Sequence, residues 1–310
     1  MFVIALLVGL VLLVVGAEML VRGAGQLALA FRVPALVVGL TVVAFGTSAP
    51  ELSVSVAAAF TASTEMALSN VNGSNVANIA LVLGLAALIR PLVVRRDMLR
   101  RDVPSLMVLQ MLVPLMCLDG RISRVDGAVL FSVGVGYNAW LLFDALRGRM
   151  ALDPDDEIEA SGRWWYDGLL LVLGSAVLVF GASIFVDGAV STARWAGLSD
   201  RFIGLTVVAL GTSAPEVATA VSSAYRGNTD LAVGNSIGSN ILNIAMVLGI
   251  TSMILPIQIQ DPGVWTDFGF ALAVTCLLVP MVLSRRLGRS GGAVLVIGYV
   301  AYIAVGYLSA

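Results

Sequence analysis

Val38 to Ser53 reads VGLTVVAFGTSAPELS, and Ile203 to Ala218 reads IGLTVVALGTSAPEVA. The two stretches are related by a shift of 203 − 38 = 165 residues. The same shift lays Gly16-Ala17 on Gly181-Ala182 and Gly23-Ala24 on Gly188-Ala189. It also lays NVNGSNVANI from Asn70 on NSIGSNILNI from Asn235. A single offset that covers so much chain marks an internal duplication. Each copy begins one apolar run before its motif and holds five such runs. An odd number turns the second copy over relative to the first, so the motifs enter from opposite faces. Inverted repeats with broken helices at a shared midplane site are the architecture of alternating-access secondary transporters.

The remaining chain fits a membrane setting. Of its 310 residues 59% are hydrophobic and 12% charged, far more apolar than a soluble domain requires. Apolar runs fall near 2–21, 34–60, 66–89, 103–118, 125–146, 165–186, 200–224, 230–255, 266–284 and 292–308. A hydrocarbon core needs about 20 residues per helix, which predicts an all-α protein of ten spans. The fourth run is short and carries Pro104 and Pro114. Residues 1–146 form the first repeat in this reading, 147–164 an acidic linker and 165–310 the second repeat. The run from Met1 to Gly16 has no basic n-region and no small-residue cleavage site, and reads as a retained span.

All 18 basic residues are Arg, with no Lys and no His. With the N-terminus outside, Arg22, Arg32, Arg90, Arg95, Arg96, Arg100, Arg101, Arg147, Arg149, Arg163, Arg226, Arg285, Arg286 and Arg289 lie inside. Only Arg121, Arg124, Arg194 and Arg201 remain outside, a bias that puts both termini outward, the linker in the cytoplasm and the chain in the cell (inner) membrane. Without His, proton chemistry would fall on carboxylates. Cys117 and Cys276 are isolated in apolar runs and suggest neither a disulfide nor a metal site.

In GTSAPE, Gly46 and Pro50, like Gly211 and Pro215, interrupt an apolar helix and free main-chain carbonyls that hydrocarbon cannot satisfy. Thr47, Ser48, Thr212 and Ser213 add hydroxyls beside the interruption. Glu51 and Glu216 follow, well inside their spans. A charged carboxylate there costs at least about 2.5 kcal/mol, so a cation-binding role is the default reading. The second motif adds Asn70, Ser74, Asn75 and Asn78, matched by Asn235, Ser239, Asn240 and Asn243. Asn78 and Asn243 read as lining the same site. Asn70 and Asn235 are open between lining it and packing helices together. Carboxylate, hydroxyl, amide and carbonyl oxygens without thiolate or imidazole select hard cations. Two Glu neutralise one calcium ion, which suits calcium better than magnesium with its tighter octahedral demand.

GTSAPE, GSNVANI and GSNILNI resemble the alpha repeats of the calcium/cation antiporter superfamily, in particular its prokaryotic sodium/calcium exchanger type. The likeness covers most of the chain. It implies a ten-helix fold and exchange of Ca2+ for Na+. Its ligands would be Thr47, Ser48, Glu51, Ser74 and Asn78, with Thr212, Ser213, Glu216, Ser239 and Asn243, joined by the carbonyls of Ala44 and Ala209. Sodium/calcium members often carry Asp at one of the positions held here by Asn78 and Asn243. Potassium-dependent members carry more acid there, which argues against potassium co-transport. Proton/calcium members show a GNxxE-like motif in place of GTSAPE. The large calcium-sensing region of eukaryotic exchangers has no counterpart in the short stretch from Arg147 to Arg163.

A proton-coupled antiporter using Glu51 and Glu216 as carriers is the nearest alternative, and a cation channel a more distant one. No nucleophile with a paired base, nucleotide loop or cofactor motif points to an enzyme or to a cofactor. The arginines form a topology signal and not a nucleic-acid face, and no obligate protein partner is evident besides the lipid bilayer. The acidic run Asp153, Asp155, Asp156, Glu157 and Glu159 reads as a solvated loop. Glu18, in the first run, is a candidate gating charge, and Arg22 is expected to snorkel.

Overall fold

The structure is a computed structural model that describes residues 2–60, 64–147, 162–195, 209–259 and 261–309. The linker acids from Asp153 to Glu159, Arg149, Arg201 and the segment Ile203 to Val208 of the second motif lie outside the described residues. Helices make up nearly all of what is described. We number them α1 (Phe2–Phe31), α2 (Ala35–Thr47), α3 (Ala49–Phe60), α4 (Met66–Ile89), α5 (Met98–Asp119) and α6 (Arg124–Leu146). They continue as α7 (Trp164–Trp195), α8 (Ala209–Thr212), α9 (Ala214–Arg226), α10 (Thr229–Ile254), α11 (Gly263–Leu283) and α12 (Arg289–Ser309).

Among the described residues, 8 helices are long and apolar enough to cross a membrane. The pair α2 and α3, bent by 46°, is a ninth candidate as one broken span. The run expected at 200–224 is described only from Ala209. The fourth run is longer than its apolar stretch suggests. A π-helical turn, Met98–Asp102, extends it toward the N-terminus, and Pro114 is accommodated inside the helix. Likewise α1 and α7 run well past the apolar stretches that announce them, to 30 and 32 residues.

Burial divides these helices into a centre and a periphery. In α4 and α10, 78% of the most apolar window is buried, against 28% in α1 and 17% in α12. The central pair is rich in Gly, Ser and Asn, which let backbones approach in the absence of any hydrophobic drive between helices in lipid. Outside this core α1 and α7 pack on each other more extensively than any other pair of elements. Glycines at the offset of 165 set that contact. A Cβ on Gly16 would stand 2.7 Å from the Leu178 nitrogen, and one on Gly181 would stand 2.7 Å from Leu12 Cβ.

Two short ribbons tie the ends of the bundle. Strand β1 (Leu92–Val93) pairs antiparallel with β4 (Arg286–Leu287), and β2 (Arg121–Ile122) pairs with β3 (Ile257–Gln258). The offset maps β1 onto β3 and β2 onto β4, so each ribbon joins one strand from either half of the chain. Two tyrosine–aspartate hydrogen bonds obey the same arithmetic, the first buried and the second partly so. The Tyr137 hydroxyl donates to Asp102 Oδ1 at 2.8 Å, linking α6 to α5, and the Tyr302 hydroxyl donates to Asp267 Oδ1 at 3.0 Å, linking α12 to α11. Asp102 also accepts from Arg101 Nε at 2.6 Å and Arg101 Nη2 at 3.2 Å, while the Arg101 guanidinium lies 5.5 Å from the Trp140 ring centre.

Candidate ion-binding site

Each GTSAPE motif breaks its helix at the serine. Ser48, between α2 and α3, has φ −82° and ψ 8°, and Ser213, between α8 and α9, has φ −84° and ψ 4°. The proline two residues on, Pro50 or Pro215, sits in the first turn of the next helix, where its missing N–H is tolerated. It still has no hydrogen to give the carbonyl four residues back, at Gly46 or Gly211. The glutamate then falls in that same first turn, where the helix dipole favours an anion.

The side chains of Thr47, Ser48, Glu51, Ser74, Asn78, Thr212, Ser213, Glu216, Ser239 and Asn243 are all buried, Glu51 and Glu216 completely. The halves of the chain interlock through them. Ser48 Oγ donates to Glu216 Oε1 at 3.1 Å, and Ser239 Oγ donates to the same oxygen at 3.4 Å. Ser74 Oγ donates to Glu51 Oε1 at 3.4 Å, and Thr212 stands within hydrogen-bonding reach of that carboxyl. Thr47 Oγ1 donates to Asn235 Oδ1 at 3.1 Å and lies 3.5 Å from Ser239 Oγ. Thus the hydroxyls of one GTSAPE motif serve the carboxylate of the other.

One oxygen of each carboxylate is left over. Glu51 Oε2, Glu216 Oε2, Asn243 Oδ1, Ser213 Oγ and both side-chain polar atoms of Asn78 are buried without a hydrogen-bond partner among the described residues. Orphaned oxygens in such number, on residues gathered from both motifs, are what a dehydrated cation would satisfy. The Ala44 carbonyl stands differently. It already accepts from Ser48 N at 3.0 Å and Thr47 Oγ1 at 3.3 Å, and Ala209 opens α8.

Asn70, left open by the sequence, packs behind the first carboxylate, donating to the Glu51 carbonyl at 3.3 Å and to Ser55 Oγ at 3.1 Å. Asn75 has a role that the sequence did not reveal. Its side-chain oxygen accepts from Asn243 Nδ2 at 3.3 Å, and its carbonyl accepts from Asn240 Nδ2 at 3.0 Å. Glu18 of α1 does not enter the site. It is paired with Arg226 at the far end of α9, accepting from Arg226 Nε at 2.8 Å and from Ser222 Oγ at 3.3 Å, and Arg22 is exposed.

Comparison with known proteins places these features in context. The profile of the family described as sodium/calcium exchanger protein matches residues 1–143 and 167–308. Inner membrane protein YrbG of Escherichia coli is 36% identical over 313 residues, covering 97% of this chain and 95% of that protein. Sodium/calcium exchanger MaX1 of Methanosarcina acetivorans is 31% identical over 340 residues, covering 97% of each. Among solved structures, the sodium-calcium exchanger NCX_Mj soaked with 10 mM Na+ and zero Ca2+ superposes with a TM-score of 0.85 at 30% identity over 98% of both chains.

Proposed function

This chain belongs to the sodium/calcium exchanger protein family, and from that premise we propose that it exchanges Ca2+ for Na+ across the cell membrane by alternating access. As a member it is an integral membrane cation antiporter and not an enzyme. The observation that carries the finer reading is the set of buried, unpartnered oxygens on Glu51, Glu216, Asn78 and Asn243. Two carboxylates match the charge of one calcium ion, and the neutral oxygens around them complete a shell of the kind that calcium takes. Sodium ions would compete for the same carboxylates with the hydroxyls of Thr47, Ser48, Thr212, Ser213, Ser74 and Ser239 and the carbonyls of Ala44 and Ala209.

Competition makes the process an exchange. An empty site carries two negative charges and is costly to move through hydrocarbon, so only a loaded site changes sides. The paired helices α1 and α7 are the moving parts of this scheme, sliding across the buried core of α4 and α10. Residues 1–146 and 165–310 act as inverted repeats joined by the cytoplasmic linker 147–164, with both termini outside. The two-part family match supports that division. The ribbons support the count of spans between these loops, because each joins two loops that the ten-span reading puts on one side; which side faces the cytoplasm rests on the arginine bias.

Calcium-45 uptake into sodium-loaded proteoliposomes tests the reading. Uptake that needs internal sodium is the expected result, whereas uptake driven by a proton gradient without sodium would place Glu51 and Glu216 in a proton-coupled cycle. The ion pair of Glu18 with Arg226 gives a smaller prediction. It is about half exposed, so its net worth is at most about 1 kcal/mol and Glu18→Gln is expected to change the exchange rate by no more than about fivefold. Because it joins α1 to the helix that carries Glu216, the charge-swapped double variant Glu18→Arg, Arg226→Glu should restore the wild-type rate in the same vesicle assay.

A further inference from the structure

Behind the ion site, α4, α5, α10 and α11 line a second space, mostly apolar in its walls, which also include the amide residues Asn72, Asn75 and Gln110. Val71, Asn72, Asn75, Gln110, Phe268 and Ala271 are among its walls, and a water centre has about 10 Å³ to occupy. That is room for one water molecule. Asn72 is 5% exposed and Gln110 6%. Asn72 Nδ2, Gln110 Nε2 and Gln110 Oε1 have no hydrogen-bond partner among the described residues. None of these groups belongs to the GTSAPE motifs or touches the two glutamates in any described hydrogen bond.

The chemistry of the three orphaned atoms selects the occupant. Two are amide nitrogens that must donate, and one is a carbonyl oxygen that must accept. A cation would face the hydrogens of both amides, and an apolar group would leave all three atoms unmet. Water accepts twice and donates once in the same place, as buried waters commonly do.

Asn75 connects this space to the ion site. Its side-chain oxygen holds Asn243 Nδ2, which commits the amide orientation and leaves Asn243 Oδ1 as the free end. Asn78, the residue related to Asn243 by the offset of 165, has no such anchor on either side-chain atom among the described residues. The offset also explains why the arrangement is one-sided. The positions equivalent to Asn72 and Gln110 are Ile237 and Thr275, and the Thr275 hydroxyl is already spent on the Ala271 carbonyl at 2.9 Å.

We infer that Asn72 and Gln110 bind one buried water in this cavity, and that the water and Asn75 together form a positioning shell that presents the Asn243 carbonyl oxygen to the transported ion. Its second half rests on the exchange reading, and its first half does not.

The test uses the full chain in lipid nanodiscs and proteoliposomes. Radiolytic hydroxyl-radical labelling, which oxidises buried side chains beside bound water, should mark Phe268 in the wild type, and Gln110→Met should cut that labelling severalfold. In calcium exchange, Asn75→Ala should raise the half-saturating calcium concentration about tenfold and Gln110→Met about threefold or more, each with the maximal rate within about twofold. The double variant should be no worse than Asn75→Ala alone, because both act through one amide. Asn72→Leu serves as the second lining variant should Gln110→Met fail to fold, and is expected to have the same two effects. An unlabelled Phe268 in the wild type would show a dry cavity, and labelling that falls as sodium is added would assign a cation instead; either overturns the water site. Half-saturation unchanged in both lining variants would overturn the positioning role. A wild type that labels at Phe268 yet does not exchange calcium for sodium would retain the water and remove the exchange reading.

Discussion

Glu51→Gln and Glu216→Gln each lower calcium exchange by at least about 100-fold while leaving the protein folded. The amide keeps the shape of the side chain and removes one of the two negative charges that balance calcium. Among the described residues no group of three or more acidic, His or Cys side chains could hold a metal ion, so no third carboxylate takes over. Breaking a buried charge pair on one side costs about 3–5 kcal/mol. At about 1.4 kcal/mol per tenfold, that is a loss of roughly two to three and a half orders of magnitude in affinity. Folding is expected to survive, because Glu51 Oε2 and Glu216 Oε2 make no hydrogen bond among the described residues that the substitution would break. Initial rates of calcium-45 uptake, set beside thermal unfolding of the same preparations, check both halves of the prediction.

Arg101→Met is the largest expected effect on stability. Asp102 is completely buried, and Arg101, 9% exposed, supplies its countercharge. With the guanidinium gone, the carboxylate keeps, among the described residues, the Tyr137 hydroxyl as its hydrogen-bond donor. Leaving a buried charge uncompensated costs about 3–5 kcal/mol. A clear drop in the unfolding midpoint in detergent or nanodiscs is the expected outcome. The double variant Arg101→Met, Asp102→Leu should recover most of it, since a buried ion pair replaced by apolar groups is commonly neutral. The equivalent site lacks the arginine: Thr266 stands at the offset position, and Asp267 accepts a hydrogen bond from Tyr302.

The offset of 165 made much of this protein legible before any coordinates. It located both broken helices, because a GTSAPE stretch puts glycine, hydroxyls, proline and acid where an apolar helix tolerates none of them casually. Applied further, it also pairs Asp102 with Asp267 and Tyr137 with Tyr302, polar residues within or at the edge of apolar runs. No recognisable motif surrounds them. Other features leave no such trace. That Ser48 serves Glu216, and not the Glu51 of its own motif, depends on how the halves interlock, which local pattern does not encode. Asn75 sits inside a motif, yet its part in holding Asn243 is a contact between residues 168 apart. Gln110 is a single amide in an apolar helix, matched at the offset by a threonine, and only its burial without a partner distinguishes it. The lengths of α1 and α7 exceed their apolar runs for a simpler reason. Hydropathy counts apolar residues, whereas these helices continue through Gly, Ala and Arg because each packs against the other.

Equilibrium calcium-45 binding to the purified protein in nanodiscs, titrated with sodium at constant pH and ionic strength, tests most directly whether both ions use the carboxylates of Glu51 and Glu216. The account predicts one calcium ion bound per chain, displaced by sodium more steeply than one for one, and no calcium binding in Glu216→Gln. Calcium that sodium leaves in place, or that stays bound after Glu216→Gln, would contradict it.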